Sequence, residues 1–220
     1  MHPQHPHGQG HPHGATHAHG GQGGPNWEAL YSEKSVESLP WYYPHLEPEI
    51  KERLDNLSPQ AHILDIGAGP GTQAIEMAKL GYNVTATDIS KAAMEKARLR
   101  AAEEGVRLEF LQDDILDSKL IGEYEVILDR GCFHSITPVD RGKFVATVHK
   151  LLKPKGLFLL KTFSKEEKGP SGGHRFSADE IKDIFHTGFE IETIKETVFQ
   201  TMMDYEPKGL FCIMRKKDQP

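Results

Sequence analysis

The chain has 220 residues, with 26 Lys and Arg against 32 Asp and Glu, for a formal charge of −6. This length allows one domain with a sizeable core, while the acidic balance is poorly suited to non-specific gripping of a phosphate backbone. No apolar window approaches a membrane span, no apolar run follows a basic start, and Cys132 and Cys212 make no disulfide scaffold. The expectation is a cytoplasmic, enzyme-sized domain with neither a membrane nor a nucleic acid as partner.

Residues 1–25 carry seven histidines, at positions 2, 5, 7, 11, 13, 17 and 19, and no Asp, Glu, Lys or Arg. With little apolar material to bury, this segment is read as a disordered tail. Such a tail could hold soft or borderline divalent ions such as nickel, copper or zinc, although no regular spacing defines a single site. Residues 26–220 form the domain, with 26–58 as an N-terminal cover and 59–220 as an α/β core. Within the cover, Glu47-Pro-Glu-Ile at 47–50 opens a helix through about Leu57, with proline in its first turn.

Strand-like and helix-like patterns then alternate. His62–Ile66 predicts a short buried strand, and Thr72–Leu80 a helix ended by Gly81. Val84–Thr87 is a second strand stopping at Asp88. Ser90 caps a helix over 91–104, closed by Gly105, and Val106–Leu111 is a third strand. Glu125–Leu128 is a fourth strand ending at Asp129. Asp140–Leu152 is helical and stopped by "KPKG" at 153–156, and Leu157–Thr162 is the fifth strand. Ser177-Ala-Asp-Glu180 is a capping box; Phe189–Ile194 and Leu210–Met214 follow as strands free to pair antiparallel at one edge. The sum is a doubly wound, seven-stranded, mostly parallel sheet of Rossmann-like type with an antiparallel ending.

In such sheets ligands sit at the carboxyl ends of the strands. Gly67, Gly69 and Gly71 of "LDIGAGPG" lie there, after the first strand. A dinucleotide fingerprint would space its glycines G-x-G-x-x-G, but here the third comes one position early and Thr72 takes its place. A phosphate loop is excluded, because no Gly-Lys-Ser/Thr follows. Asp88 ends the second strand seventeen residues past Gly71, where a carboxylate can accept two ribose hydroxyls. "QDD" at 112–114 ends the third strand, and "LDRGCFHSI" begins at Leu128 on the fourth.

"LDIGAGPG" resembles motif I of the class I S-adenosylmethionine-dependent methyltransferases, and the resemblance runs from about Trp41 to the last strand. It implies S-adenosyl-L-methionine as cofactor, with the backbone of Gly67, Ala68, Gly69 and Gly71 around its amino-acid part. Asp65 would hold either the loop or the cofactor's ammonium. Asp88 would take the ribose, with Ile89 against the adenine. Asp114, or Asp113 close beside it, would accept the adenine amino group, with Ile115 beside the ring. Asp129 would stand where cofactor and substrate meet. "DRG" at 129–131, "LPWYYP" at 39–44 and "HRFSADEI" at 174–181 resemble the thiopurine, thiol and tellurite-resistance methyltransferases. In that group an aromatic, here Trp41, covers the cofactor, and the acceptors are small and soft: thiols, or selenium, tellurium and other metalloid compounds.

Methyl transfer by in-line displacement needs alignment more than a charged catalytic constellation. His134 stands at the right strand end for a substrate contact or proton acceptor. Arg130 would hold a substrate anion or pair locally. No carboxylate set for a divalent metal is evident, and the Asn/Asp-Pro-Pro-aromatic motif of adenine and amide nitrogen methylases is missing after the fourth strand. The alternatives are methylation of an oxygen or nitrogen of a small metabolite, or a non-catalytic metal-binding or regulatory protein on the same fold.

Overall fold

A computed structural model describes residues 25–170 and 172–218. The histidine tail therefore lies outside the described residues. Seven strands form one sheet: β1 (His62–Ile66), β2 (Asn83–Asp88), β3 (Glu109–Gln112), β4 (Tyr124–Arg130), β5 (Leu152–Phe163), β6 (Phe189–Val198) and β7 (Lys208–Lys216). Their spatial order is β3-β2-β1-β4-β5-β7-β6. The first five pair in parallel, and β7 runs antiparallel between β5 and β6. This is the expected doubly wound sheet, with the additional feature that its last strand enters inside the edge.

Because side chains alternate across a strand, each strand feeds two cores. Leu64, Ile66, Ile127, Phe158 and Leu160 pack on one face with α5 (Arg141–Leu151) and α6 (Ala178–Phe185). Ile63, Val126, Leu128 and Leu159 pack on the other with α2 (Pro48–Leu54), α3 (Thr72–Lys79) and α4 (Lys91–Glu103). Ahead of these, α1 (Trp27–Glu33) lies against α4, with Trp27, Leu30, Tyr31 and Trp41 gathered around Ala93. Ser90 caps α4 by accepting the Ala93 N–H at 3.1 Å. The capping box of Ser177 and Glu180 opens α6.

Several boundaries differ from expectation, and three of the differences have a clear physical cause. The third strand starts at Glu109, not Val106, because the Val106 N–H closes the end of α4 on the Ala101 carbonyl while Gly105 turns at φ 68°. The fourth strand runs on to Arg130, which pairs in register with Lys161 of β5. "KPKG" does end the helix at Leu151, yet it lies inside β5, where the β4 register shifts between Tyr124 and Val126. Pro154 has no N–H to give a ladder, so it fits this irregular start.

Candidate active site

The turn after β1 is made of left-handed residues at alternate positions: Gly67 at φ 62°, Gly69 at 54° and Gly71 at 76°. Side chains there are strained, and space excludes them too. A Cβ on Gly67 would stand 2.6 Å from Cβ of Cys132, and one on Gly69 would stand 2.7 Å from the Tyr31 hydroxyl oxygen. The loop is tied to β2: Ala68 N–H donates to the Thr87 carbonyl at 2.8 Å, and Gly69 N–H to Asp88 Oδ2 at 2.9 Å. The other oxygen of Asp88 accepts the Ser90 N–H.

Three carboxylates on neighbouring strands, Asp65, Asp88 and Asp129, are 2%, 6% and 0% exposed. Burial is the main cause that lifts each above the usual carboxylate range. Asp65 rises to about 8, with the Asp129 charge adding to burial. Asp129 rises to about 7 although the N–H groups of Cys132 and Phe133 donate to its two oxygens. Asp88 rises to about 6, restrained by the Ser90 and Gly69 N–H groups. Oδ2 of Asp65 is buried and has no hydrogen-bond partner. The Cys132 thiol, pushed well up by burial, also feels the charges of Asp129, Asp88, Asp114 and Asp65. The residues predicted from three strand ends are thus one acidic cluster, and such a cluster suits a ligand bearing positive charge. Asp114 accepts the Leu116 N–H ahead of buried Ile115, whereas Asp113 accepts the Lys119 N–H farther along. Ile89 is half-buried beside Asp88.

Trp41 meets Trp27 at 5.9 Å and Tyr31 at 6.3 Å, both edge-on. Trp27 and Tyr31 were not among the expected site residues, although their i, i+4 spacing was available as a signal. Glu28, on the same helix, accepts the Ser90 hydroxyl at 2.6 Å and the Ala92 N–H at 3.2 Å. It thereby fastens α1 over the start of α4, and the Ser90 bond draws its carboxyl below the usual range.

His134 lies on a single 3-10 turn, Phe133–Ser135, with its ring stacked on Phe163 at 4.1 Å and 8°. Its Nδ1 is buried without a partner. Burial, and then the charge of Arg130, push its pKa down to about 3, so the ring is neutral at physiological pH. Arg130 itself is already engaged. Nε donates to Glu47 Oε1 at 2.7 Å, Nη1 to the Trp41 carbonyl at 3.2 Å and Nη2 to the Gln200 carbonyl at 2.7 Å. The other oxygen of Glu47 takes Lys161 Nζ at 2.7 Å, and Lys161 also reaches Glu49 at 2.6 Å. Glu47 and Lys161 are fully buried. Gln73 on α3 completes the grip, accepting the Glu47 N–H and donating to the His45 carbonyl. This charge network joins the cover, β4, β5 and the start of the β6–β7 connection, and sequence reading missed it. Its one local signal was a lysine inside the apolar run "LFLLKTF".

Among the described residues, no group of three or more His, Cys, Asp or Glu is placed to hold a metal ion, and no helix is long and apolar enough to cross a membrane. The sequence model of a family described as a methyltransferase domain matches residues 63–156. The carboxy-S-adenosyl-L-methionine synthase of Nautilia profundicola is 27% identical over 181 residues, covering 80% of this chain and 77% of that protein. An uncharacterized methyltransferase of Schizosaccharomyces pombe is 32% identical over 108 residues, covering 49% of this chain and 74% of that protein. Among solved structures, one that describes conversion of a disulfide bond into a thioacetal group during echinomycin biosynthesis superposes with a TM-score of 0.75. It is 25% identical and covers 87% of this chain and 91% of that one. The glycine cradle, the open oxygen of Asp65 and the acidic strand ends fit a cofactor with a sulfonium and an ammonium. The chain belongs to the S-adenosylmethionine-dependent methyltransferases.

Proposed function

We propose that the protein methylates a small soft nucleophile, a thiol or a selenium, tellurium or other metalloid compound, by direct in-line displacement. The cofactor supplies an electrophilic methyl group on its sulfonium. In this reading the chain binds, aligns and excludes water. Asp65 holds the ammonium with its open oxygen, Asp88 the ribose hydroxyls, and Asp114 the adenine amino group between Ile89 and Ile115. The backbone of Gly67, Ala68, Gly69 and Gly71 lines the amino-acid part, and Trp41 closes over it. Asp129 shapes the turn that carries His134, and Arg130 braces that turn against the cover through Glu47.

The observation that carries the choice of acceptor is the electrostatics of His134. With a pKa of about 3, it is a poor proton acceptor for an alcohol or an ammonium. A thiol, with a reference pKa of about 8.5, is partly ionised at neutral pH without such help. His134 then serves as a neutral polar contact to the acceptor. The similarity to a protein whose chemistry takes place at sulfur supports the same reading.

The test is a product screen by mass spectrometry, in which the protein and S-adenosylmethionine are incubated with thiols, selenols, catechols and amines. S- or Se-methyl products are expected, with a rate that follows ionisation of the free acceptor. His134→Gln is expected to lower kcat about 10- to 100-fold without moving that pH profile. Methyl transfer confined to oxygen or nitrogen would overturn the assignment of the acceptor.

A further inference from the structure

The acidic cradle accounts for the cofactor, but one cation near His134 is left without a function. Arg141 is the first residue of α5, and its guanidinium carbon lies 4.7 Å from the centre of the Phe176 ring and 6.0 Å from that of Phe133. Its Nε and Nη2 are buried and have no hydrogen-bond partner. Leaving a buried donor unsatisfied is costly, and more so for a charged group. These two nitrogens form the side-on edge of the guanidinium, whose two parallel N–H bonds match the two oxygens of a carboxylate.

Among the described residues, no carboxylate serves that edge. The acid whose charge acts on Arg141 is Glu180. Its Oε2 accepts the N–H and hydroxyl of Ser177, and its Oε1 pairs with Lys165 at 2.8 Å. Asp140, the preceding residue, accepts the Thr137 hydroxyl at 2.6 Å. On the other side, Arg141 is joined to the catalytic turn. Phe133 stacks on Phe176 at 5.2 Å and is followed directly by His134, whose carbonyl accepts the His174 N–H at 2.7 Å. Residues 172–174 are exposed, and a Cβ on Gly172 would meet nothing within 4 Å. The stretch that leads to Phe176, the ring under Arg141, is therefore exposed to solvent.

We infer that Arg141 is a specificity-determining residue that binds a carboxylate on the methyl acceptor through its Nε/Nη2 edge, so that the preferred substrate is an acidic small molecule. The inference rests on the reading of His134 as an acceptor-side residue. In this arrangement the nucleophilic atom lies towards His134 and the carboxylate towards α5, and the acceptor is fixed at two points before the displacement.

The test uses acid and methyl-ester pairs that share one nucleophile: 3-mercaptopropionate with its ester, and thiosalicylate with its ester. Each is titrated into full-length protein loaded with S-adenosylhomocysteine, and each is assayed for turnover with S-adenosylmethionine. In the wild type the acid of at least one pair is expected to bind, and to show a kcat/KM, about tenfold better than its ester. In Arg141→Gln that ratio should fall to about one, mostly through KM, and Arg141→Lys should give a value in between. Equal affinities for acid and ester in the wild type would overturn the inference. So would an equal loss of both ligands in Arg141→Gln, which would mark Arg141 as packing only. If the glutamine variant fails to fold, the lysine variant and the wild-type ratio decide. Arg141-dependent binding of the acids without thiol methylation would keep this site and sink the sulfur assignment. Thiol methylation with no acid preference would do the reverse.

Discussion

Two clusters of buried charge lie within two strands of each other at the carboxyl edge of the sheet, and they differ in one respect. Around Lys161 and Arg130, two cations meet Glu47 and Glu49 at 2.6–2.7 Å. Around Asp65, Asp88 and Asp129, backbone N–H groups donate but no side-chain cation is bonded, and all three carboxyls are lifted in pKa. Burying a charge is costly unless it is paired. The paired cluster is therefore scaffold that locks the cover to the strands. The unpaired one is the cluster we propose as the seat of a cationic cofactor.

The sharpest way to break this comparison is to unbalance the paired side. Glu47→Ala leaves Lys161 and Arg130 short of a counter-charge in the interior, and is expected to cost about 3–5 kcal/mol of unfolding free energy. Denaturant titration checks it, and Glu47→Gln combined with Lys161→Met should recover most of the loss. On the unpaired side, Asp88→Ala should weaken S-adenosylmethionine binding about 100-fold by calorimetry, the scale of lost hydrogen bonds to a charged group. A smaller loss in Asp88→Asn would show that retained acceptors carry part of the affinity.

A pH series sharpens the contrast further. The three carboxyls have folded pKa values of about 6 to 8, against an unfolded reference of about 3.9. Between these limits the folded state holds protons that the unfolded state has released, so stability falls as pH rises. The cofactor-free protein is therefore expected to melt progressively lower from about pH 4 towards pH 8. Binding a cation favours the ionised carboxyls, so cofactor binding near pH 7 should release protons. Calorimetry in two buffers of different ionisation heat reads that release. The smallest effect is expected from Asp65→Asn. Replacing an uncompensated acid by its neutral isostere should raise cofactor-free stability by up to about 1 kcal/mol while weakening the cofactor. Loss of stability there would mean that Asp65 is scaffold after all.

What sequence reading could reach follows from range. The first strand was placed at its observed limits, and the Ser90 and Ser177 caps and the glycine turn were legible, because each is set by residues within about four positions. The acidic strand ends were placed by the strand pattern, their roles came from the resemblance to the methyltransferases, and their convergence follows from parallel topology. Lys161 and Glu47 are 114 positions apart, and nothing local to either names the other. The engagement of Arg130 by Glu47 was hidden for the same reason, as was the packing of Tyr31 onto Gly69. Val106 was misplaced because strand propensity lost to helix closure, a competition between two local signals.

The position of β7 between β5 and β6 carries a consequence for biogenesis. Ribosomes deliver strands in chain order, so β6 emerges with its eventual neighbour still unsynthesised. Until Lys208–Lys216 arrives, the outer edge of β5 presents open backbone groups. The nascent chain thus carries an unpaired, aggregation-prone edge until that segment emerges, and one strand then completes the sheet by pairing on both sides.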